Sequence, residues 1–334
     1  MTEPFETQNL PRQILDVILG IPKPLIPATI KALDRLVGAS VGVAVAWLNQ
    51  KAARIEAQTE SYKAVEASIG RAAASEAGAN PEFVKRAANV LVSKAYRKQI
   101  NREAVAVAAV EVLQGSETLG AAANPGGDVD EDWLNKFERY AEDASSERMQ
   151  KLWGRVLAGE IRRPGQFSLR TLRFLSEVSQ PEAIAFEKFC ASAFGGVAPK
   201  KLLQPEHDTD IGDLIILEAI GLIQGASVGF ECVLNFNEKG HFFLTEGHFV
   251  IIFHGRPNTR FDVFAIALTP LGRELLGILP ARDARAASKA VALAMRAPQL
   301  EEAYLGVIAG PAGRIEQVEV LWQKEGAETT NPQE

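Results

Sequence analysis

Apolar residues recur with helical spacing over much of the first 195 positions of the chain. Leu10–Leu19 form a short apolar stretch, and a cluster of prolines separates it from a second run that begins near Ala28. Residues 49–113 are rich in alanine, glutamate, lysine and arginine, which favour helix, and Pro81 marks a helix start within them. The pattern therefore predicts an N-terminal helical region over residues 1–115.

A second helical block is predicted after a break in the pattern. Residues 116–129 are rich in glycine and have no periodicity, which predicts a linker. Helical spacing resumes over residues 130–195, which we expect to form a central helical domain. Its first two helices should pack on each other, because each carries one apolar stripe. The stripes are Trp133, Phe137 and Tyr140 on the first helix, and Met149, Leu152, Trp153, Val156 and Leu157 on the second.

The pattern changes to a mixture of helix and strand after residue 195. A helical stretch at Asp210–Ile223 precedes β-rich runs, which are Val228–Asn235, Phe242–Phe253 and Phe261–Leu268. The sequence Leu-Thr-Pro-Leu-Gly-Arg-Glu-Leu then closes the segment. Helix, hairpin and this closing stretch resemble the end of a winged helix, so we predict a winged-helix-like α+β module over residues 196–280.

The last part of the chain should form a helix and a hairpin over residues 281–324, followed by a disordered tail over residues 325–334. The predicted fold class is therefore mainly α with a C-terminal α+β portion. It comprises the N-terminal helical region, the central helical block and the winged-helix-like module.

The composition is that of a globular protein with an acidic balance. The 334 residues are 47% hydrophobic and 23% charged, with a formal net charge of −6. This balance argues against a surface coated for nucleic acid. Residues 1–9 lack the basic start of a signal peptide, and Cys190 and Cys232 lie in apolar surroundings. We therefore expect a cytoplasmic protein with free, buried thiols.

The run Leu36–Leu48 is apolar all round and leaves two interpretations open. It has 13 residues, whereas roughly 20 are needed to cross a bilayer. It could be a buried helix with small residues for close packing, or a helix that contacts the inner membrane peripherally. The residues expected to touch lipid in the second case are Leu36, Val37, Val41, Val43, Val45, Trp47 and Leu48.

Four polar residues stand among the large apolar ones of the central block. They are Gln150, Glu160, Arg163 and Arg170. Arg170 could pair with Glu160 and lock the turn between two helices, since buried charges generally need partners. Alternatively, the set could contact an anionic ligand or a partner protein, with Arg163 and Arg170 as the recognising cations.

Motifs for catalysis are incomplete. Gly-Ala-Ser-Val-Gly occurs at Gly38–Gly42 and Gly225–Gly229, but neither copy has the strand-then-helix context of a nucleophile elbow. His248 and His254 are an even number of residues apart, so on one strand they would share a face, and His241 is nearby. A hydrolase built on that face is the weakest hypothesis. We expect no catalytic residues, no metal and no cofactor.

The central block carries a dense set of short motifs. They are Asp132-Trp133, Ser146-Glu-Arg-Met-Gln150, Leu152-Trp153, Leu157-Ala-Gly-Glu160, Pro164-Gly165, Phe167-Ser168 and Arg170-Thr171. These residues resemble the signature of an uncharacterised bacterial domain family, which reads D-W, S-D-E-E-M-Q, L-W-A-x-I-L-A-G-E and P-G-S-F-S-x-R-T. Glu147-Arg148 departs from the acidic run of that signature. The close resemblance covers residues 130–190 and implies no activity.

A looser resemblance links the same block to the abortive-infection alpha proteins of bacterial phage defence. It implies a non-enzymatic interaction protein, a defence or stress effector whose N-terminal helices act at a membrane or on a partner. The expected partner is a protein, either a second copy or another defence component. The alternative function is a winged-helix regulator that binds nucleic acid, but Asp210, Asp213 and Glu218 on its expected helix would repel phosphates.

Overall fold

The structure is a computed structural model with two compact units. It describes residues 20–38, 67–69, 71–72, 81–115, 128–203, 210–227, 230–279, 283–309 and 314–324. The boundary between the units falls between Leu172 and Arg173. The first unit is helical and the second combines helices with two β-sheets, which confirms the coarse prediction of helical N-terminal and central regions followed by an α+β portion. Most of the predicted linker and the whole predicted tail lie outside the described residues.

Besides a 3₁₀ helix (Lys23–Leu25) and short helical stretches at residues 67–69 and 71–72, the described part of the first unit contains four α-helices and the start of a fifth. They are α1 (Ile26–Val37), α2 (Pro81–Gln114), α3 (Glu131–Glu142), α4 (Glu147–Arg162) and α5 (Leu169–Glu177), which crosses the unit boundary. Helix α1 begins two residues before the predicted Ala28, because Pro27 sits in the first turn, where a missing N–H costs nothing. It ends at Val37, the second residue of the apolar run, because Gly38 adopts a left-handed φ of 67° and caps it.

The core of the first unit forms where α2 packs along α4 and contacts α1 and α3. Gly154 makes this possible, because a Cβ there would lie 2.5 Å from the Cβ of Ala108 and 2.8 Å from its backbone carbon. The predicted aromatic stripes of α3 and α4 do meet. The Phe137 ring packs edge-on against Trp153 with centroids 5.6 Å apart, and Tyr140 stacks on Trp153 at 5.5 Å.

Side-chain caps determine where the helices of this block begin. Asp130 accepts a hydrogen bond from the backbone N–H of Trp133, and Ser146 accepts one from Met149. The Ser168 hydroxyl accepts from the N–H of Thr171 at the start of α5. Asp130, Ser146 and Ser168 thus act as N-caps, which satisfy backbone N–H groups that have no partner within their helix.

The second unit continues from α5 with four further α-helices, a 3₁₀ helix (Lys200–Leu202) and eight strands among its described residues. The helices are α6 (Gln180–Ala191), α7 (Ile211–Ala219), α8 (Pro270–Leu276) and α9 (Ala284–Ala294). The strands are β1 (Val197–Pro199), β2 (Ile223–Gln224), β3 (Phe230–Asn235), β4 (His241–Glu246), β5 (Phe249–Gly255), β6 (Arg260–Leu268), β7 (Leu300–Ala309) and β8 (Arg314–Gln323). All pairings of these strands are antiparallel.

Strand β6 is the centre of the first sheet. Strand β1 pairs with it on one side, and β2 and β3 pair with it on the other. The second sheet has the order β4-β5-β7-β8. Its core side packs on α9, where Trp322 donates its indole N–H to the Ala292 carbonyl at 2.8 Å.

Two strand predictions differ from the structure. The run Phe242–Phe253 is not one strand, because Gly247 adopts a left-handed φ of 60° and turns it into the β4–β5 hairpin. The turn at Asn237–Gly240 does not close a hairpin either, since it leads from β3 in the first sheet to β4 in the second. Strands β7 and β8 then complete the second sheet, so residues from the segments predicted at 196–280 and 281–324 share one sheet.

Candidate functional site

Glu160, the buried member of the predicted polar set, binds backbone. Glu160 is only 1% exposed. One carboxylate oxygen accepts the N–H of Gly165 at 2.6 Å, and the other accepts the N–H of Phe167 at 3.0 Å. The Phe167 carbonyl in turn accepts the indole N–H of Trp133 at 2.7 Å. Glu160 therefore fastens the loop between α4 and α5 to the aromatic core.

The other three residues of the set do not converge with Glu160 on one site. Gln150 donates its side-chain amide to the Ala144 carbonyl at 3.0 Å, and so fixes the opposite end of α4. Ten residues separate it from Glu160, which is about 15 Å along a helix. Arg163 and Arg170 are exposed. The structure thus gives Gln150 and Glu160 roles in holding backbone and leaves the two arginines at the surface.

The residues predicted to contact membrane are only partly described. Leu36 and Val37 are buried in the first unit, and the Val37 carbonyl accepts the side-chain amide of Gln99 at 2.9 Å. The others, Val41, Val43, Val45, Trp47 and Leu48, lie outside the described residues. Among the helices of the described ranges, none has the length and hydropathy that a transmembrane span requires.

The predicted histidine face is not formed by the predicted pair. His248 lies in the turn before β5, where its ring packs on Phe249 with centroids 4.1 Å apart. His254 instead faces His241 of β4, with ring centroids 5.1 Å apart. This corrects the expectation that His248 and His254 share one strand face, because β5 begins only at Phe249.

Carboxylates complete the cluster around His254. Its Nδ1 lies 3.3 Å from an oxygen of Glu301 and 3.5 Å from an oxygen of Glu302. Glu302 also accepts a hydrogen bond from the hydroxyl of Tyr304 at 2.8 Å. Burial first, and then the charges of His254 and Lys239, lower the pKa of His241. Burial and the bond to Glu302 raise the pKa of Tyr304. Within the described parts of the chain, no three His, Cys, Asp or Glu side chains are grouped to hold a metal ion.

A charged cleft in the first unit was not predicted. Arg35, Lys98 and Arg102 from α1 and α2 form ion pairs with Glu138 and Glu142 of α3. Of these residues, Arg35, Glu138 and Glu142 line a cleft of about 670 Å³. The pair with Glu142 raises the pKa of Lys98. These charges largely compensate one another. We therefore interpret the ion pairs as contacts between helices and not as a binding site for a charged ligand.

An open groove lies in the second unit, and we call it the β6 groove. It has a volume of about 750 Å³. Its walls are mostly apolar, and its charged lining residues are Lys200, Lys201, Arg296 and Asp262. The lining residues are Pro199, Lys200, Lys201, Leu203, Ile211, Leu214, Ala226, Phe261, Asp262, Val263, Phe264, Ile266, Ala294, Met295, Arg296 and Ala297.

Large apolar side chains at this groove are exposed. Phe264 is 64% exposed and Ile211 is 60% exposed. Ile215, one turn along α7 from Ile211, is also exposed, so the apolar surface extends beyond the groove. Such contiguous exposed apolar surface, bordered by charge, is typical of an interaction site.

Helix α7 and the loop behind the groove are held in place by one carboxylate. Glu218 accepts hydrogen bonds from the backbone N–H groups of Gly225, Ala226 and Ser227, and from the Ser227 hydroxyl at 2.5 Å. The bond from Ser227 is the main reason that the pKa of Glu218 is lowered. Because Ala226 lines the groove, Glu218 positions part of its wall.

The β6 groove was not predicted from the sequence. Its walls come from segments near residues 200, 212, 263 and 295, which no local pattern connects. The adjacent Lys200 and Lys201 and the apolar residues on both faces of β6 were the available signals.

The comparisons with known proteins concern the middle of the chain. Residues 85–215 match the model of a family described as protein of unknown function (DUF2806). The search of curated proteins and the search of solved structures each returned no significant match. Part of α2, all of α3 to α6 and the first half of α7 thus correspond to an uncharacterised domain family.

Proposed function

We propose that this chain is an interaction protein, whose second unit docks a partner protein in the β6 groove. The observation that carries the proposal is the exposure of Phe264 and Ile211 at a groove of about 750 Å³. Burying large side chains of this kind contributes about 1.5–3 kcal/mol each, which makes them natural anchors of an interface.

The charged residues of the groove favour a binding function over a catalytic one. Asp262, the one carboxylate among the described lining residues, forms an ion pair with Arg260 at 2.6 Å. The cations Lys200, Lys201 and Arg296 lie around an apolar floor, an arrangement suited to orienting a docked segment.

The strand order supports a winged-helix-like arrangement for this module. Helices α6 and α7 precede a sheet in which β1 and β3 flank β6, and the β4–β5 hairpin occupies the place of a wing. Helix α7 would be the recognition helix, but it carries Asp213 and Glu218 and no basic residue. Because nucleic-acid binding depends on neutralising phosphates, this helix favours a protein partner.

The biological setting that we propose rests on sequence resemblance alone. The looser similarity to abortive-infection alpha proteins supports a bacterial defence or stress effector. The burial of Leu36 and Val37 within the first unit favours N-terminal helices that contact protein over helices that lie on the inner membrane. A liposome-leakage assay with the full chain checks this preference, and leakage that Leu36→Asp abolishes in a folded protein would contradict it.

Photocrosslinking tests the docking function. Benzoylphenylalanine would replace Phe264 in the full chain, and in a control chain it would replace Phe243, which is 41% exposed on the second sheet. We expect one reproducible adduct at position 264 and none at 243. The crosslinked partner is then purified and titrated by calorimetry, where Phe264→Asp should weaken binding at least about tenfold. Equal crosslinking at both positions, or unchanged affinity, would refute the proposal.

Full-chain variants of the groove lysines test the nucleic-acid alternative. A mobility-shift assay at low salt should show no complex with duplex DNA at micromolar protein. A shift that Lys200→Glu and Lys201→Glu abolish together would favour the alternative.

A further inference from the structure

The β6 groove follows the edge of a strand and does not lie over a sheet face. Phe261, Asp262, Val263 and Phe264 are consecutive residues of β6, and all four line it. Side chains of consecutive strand residues point to opposite faces. A groove that touches all four therefore runs along the strand's edge, where both faces are reached.

Within the described part of the chain, that edge of β6 has no paired strand over about half of its length. Among the described residues, β1 pairs with Ala265–Ala267 and no further, because the chain leaves the sheet at Lys200 as a short 3₁₀ helix. On the opposite side, β3 pairs with β6 from Arg260 to Ala265. Residues 260–264 thus have a strand on one side and the groove on the other.

Backbone groups of β6 point into the groove. The N–H of Leu268 donates to the Gly196 carbonyl, which precedes β1, whereas the N–H of Thr269 donates to Leu222 on the opposite side. Successive residues of a strand direct their N–H and C=O to opposite edges, so residues two positions apart direct them to the same edge. Counting back from Leu268, the backbone groups of Phe264 and Asp262 therefore point to the open edge, in hydrogen-bonding position for an added strand.

We propose that the β6 groove takes an extended, acidic and apolar segment of a partner protein, which pairs as an added strand with β6 at residues 260–264. This deepens the proposed docking function and rests on it. Five residues of strand span about 17 Å, so the matching segment is about five residues long. Main-chain hydrogen bonds supply affinity in this mode of recognition, and side-chain pockets supply specificity.

Charge and shape determine the chemistry of the segment. Asp262 is paired with Arg260, whereas Lys200, Lys201 and Arg296 give the groove an excess of positive charge. Carboxylates at the ends of the segment complement this excess. The exposed Phe264 ring and the apolar floor take alternate apolar side chains. A small apolar ligand fits less well, because such ligands are normally enclosed over most of their surface.

A displayed library of random peptides of about twelve residues tests the proposal. The full chain is the target, and the full chain carrying Phe264→Asp removes peptides that bind elsewhere. We expect enriched peptides with alternating apolar residues and Asp or Glu beside them. Synthetic versions should bind about tenfold more weakly to the Lys200→Glu, Lys201→Glu double variant, whereas the Arg256→Glu control, at an exposed turn residue outside the groove, leaves affinity unchanged.

Amide exchange identifies the binding mode. Binding of an enriched peptide should slow exchange of the Asp262 and Phe264 amides, measured by nuclear magnetic resonance on the full chain. Two peptides should be compared, each with N-methyl groups on one of the two alternating sets of amides. The set that faces β6 should lose affinity because it cannot complete the strand pairing, whereas methylation of the outward set should be tolerated.

The outcomes separate this inference from the proposed function. Enrichment of basic or helical peptides, affinity that neither alternating set of N-methyl groups changes, or unchanged exchange at both amides would overturn strand addition. A partner crosslinked at position 264 would still support docking in that case. No enrichment at all together with no adduct at position 264 would overturn both.

Discussion

Replacing Glu160 should destabilise the first unit more than any surface change on the same helix. The carboxylate is 1% exposed and accepts two backbone N–H groups, at 2.6 and 3.0 Å. A hydrogen bond to a charged group contributes about 1.5–3 kcal/mol, and removing the acceptor leaves the buried amide of Phe167 unsatisfied. Removing a buried charge offsets part of this loss. We therefore expect Glu160→Ala to lower the free energy of unfolding by about 3 kcal/mol, from those two terms.

A second substitution of Glu160 and a control substitution elsewhere on α4 make the test specific. Glu160→Gln keeps one acceptor oxygen and turns an amide donor toward the other N–H, so it should cost about half as much as the alanine change. Glu147→Gln, on the exposed first turn of α4, removes the surface ion pair with Lys151 and should cost about 0.5 kcal/mol or less. Urea unfolding followed by circular dichroism measures all three free energies. A Glu160→Ala loss no larger than that of Glu147→Gln would refute the role assigned to Glu160.

Three further changes test other parts of the structure by the same unfolding measurement. Gly154→Ala should cost about 1–3 kcal/mol or more, because its Cβ would fall 2.5 Å from Ala108, and an unchanged midpoint would contradict the close α2–α4 packing. The pKa of His241 is lowered, so the folded state binds fewer protons than the unfolded state once the pH falls below about 6.5. The free energy of unfolding should fall as the pH is lowered from 7.5 to 5.5, and His241→Gln should reduce this dependence. The same pH dependence in both proteins would disprove the contribution of His241. Thr269→Val removes the α8 cap and the bond to the Gly221 carbonyl, and should cost about 1–2 kcal/mol, whereas no loss would argue against the cap.

Local patterns predicted the central block because its determinants are local. Trp133, Phe137 and Trp153 meet as their spacing indicates, since helical periodicity alone fixes which side of a helix they occupy. Ser146 and Ser168 cap their helices through residues three positions away. Such short-range interactions can be read directly from the order of residues.

Loop geometry and long-range pairing escaped the same reasoning. Arg170 was the expected partner of Glu160, but the turn at Gly165, with a φ of 82°, brings backbone amides to the carboxylate. Periodicity contains no information on that turn. The β6 groove depends on the early end of β1 and on residues about 100 positions apart, so only the folded chain reveals it.

The two halves of α2 should differ in local stability, because they are packed to different extents. Its 34 residues span about 50 Å. Val105 and Leu113 in the second half are fully buried, whereas Val90 and Leu91 in the first half are more than 60% exposed. A helix in water derives most of its stability from an amphipathic face that packs. Local opening should therefore require little free energy near Val90 and approach that of global unfolding near Leu113, so that a single continuous helix contains both labile and strongly protected amides.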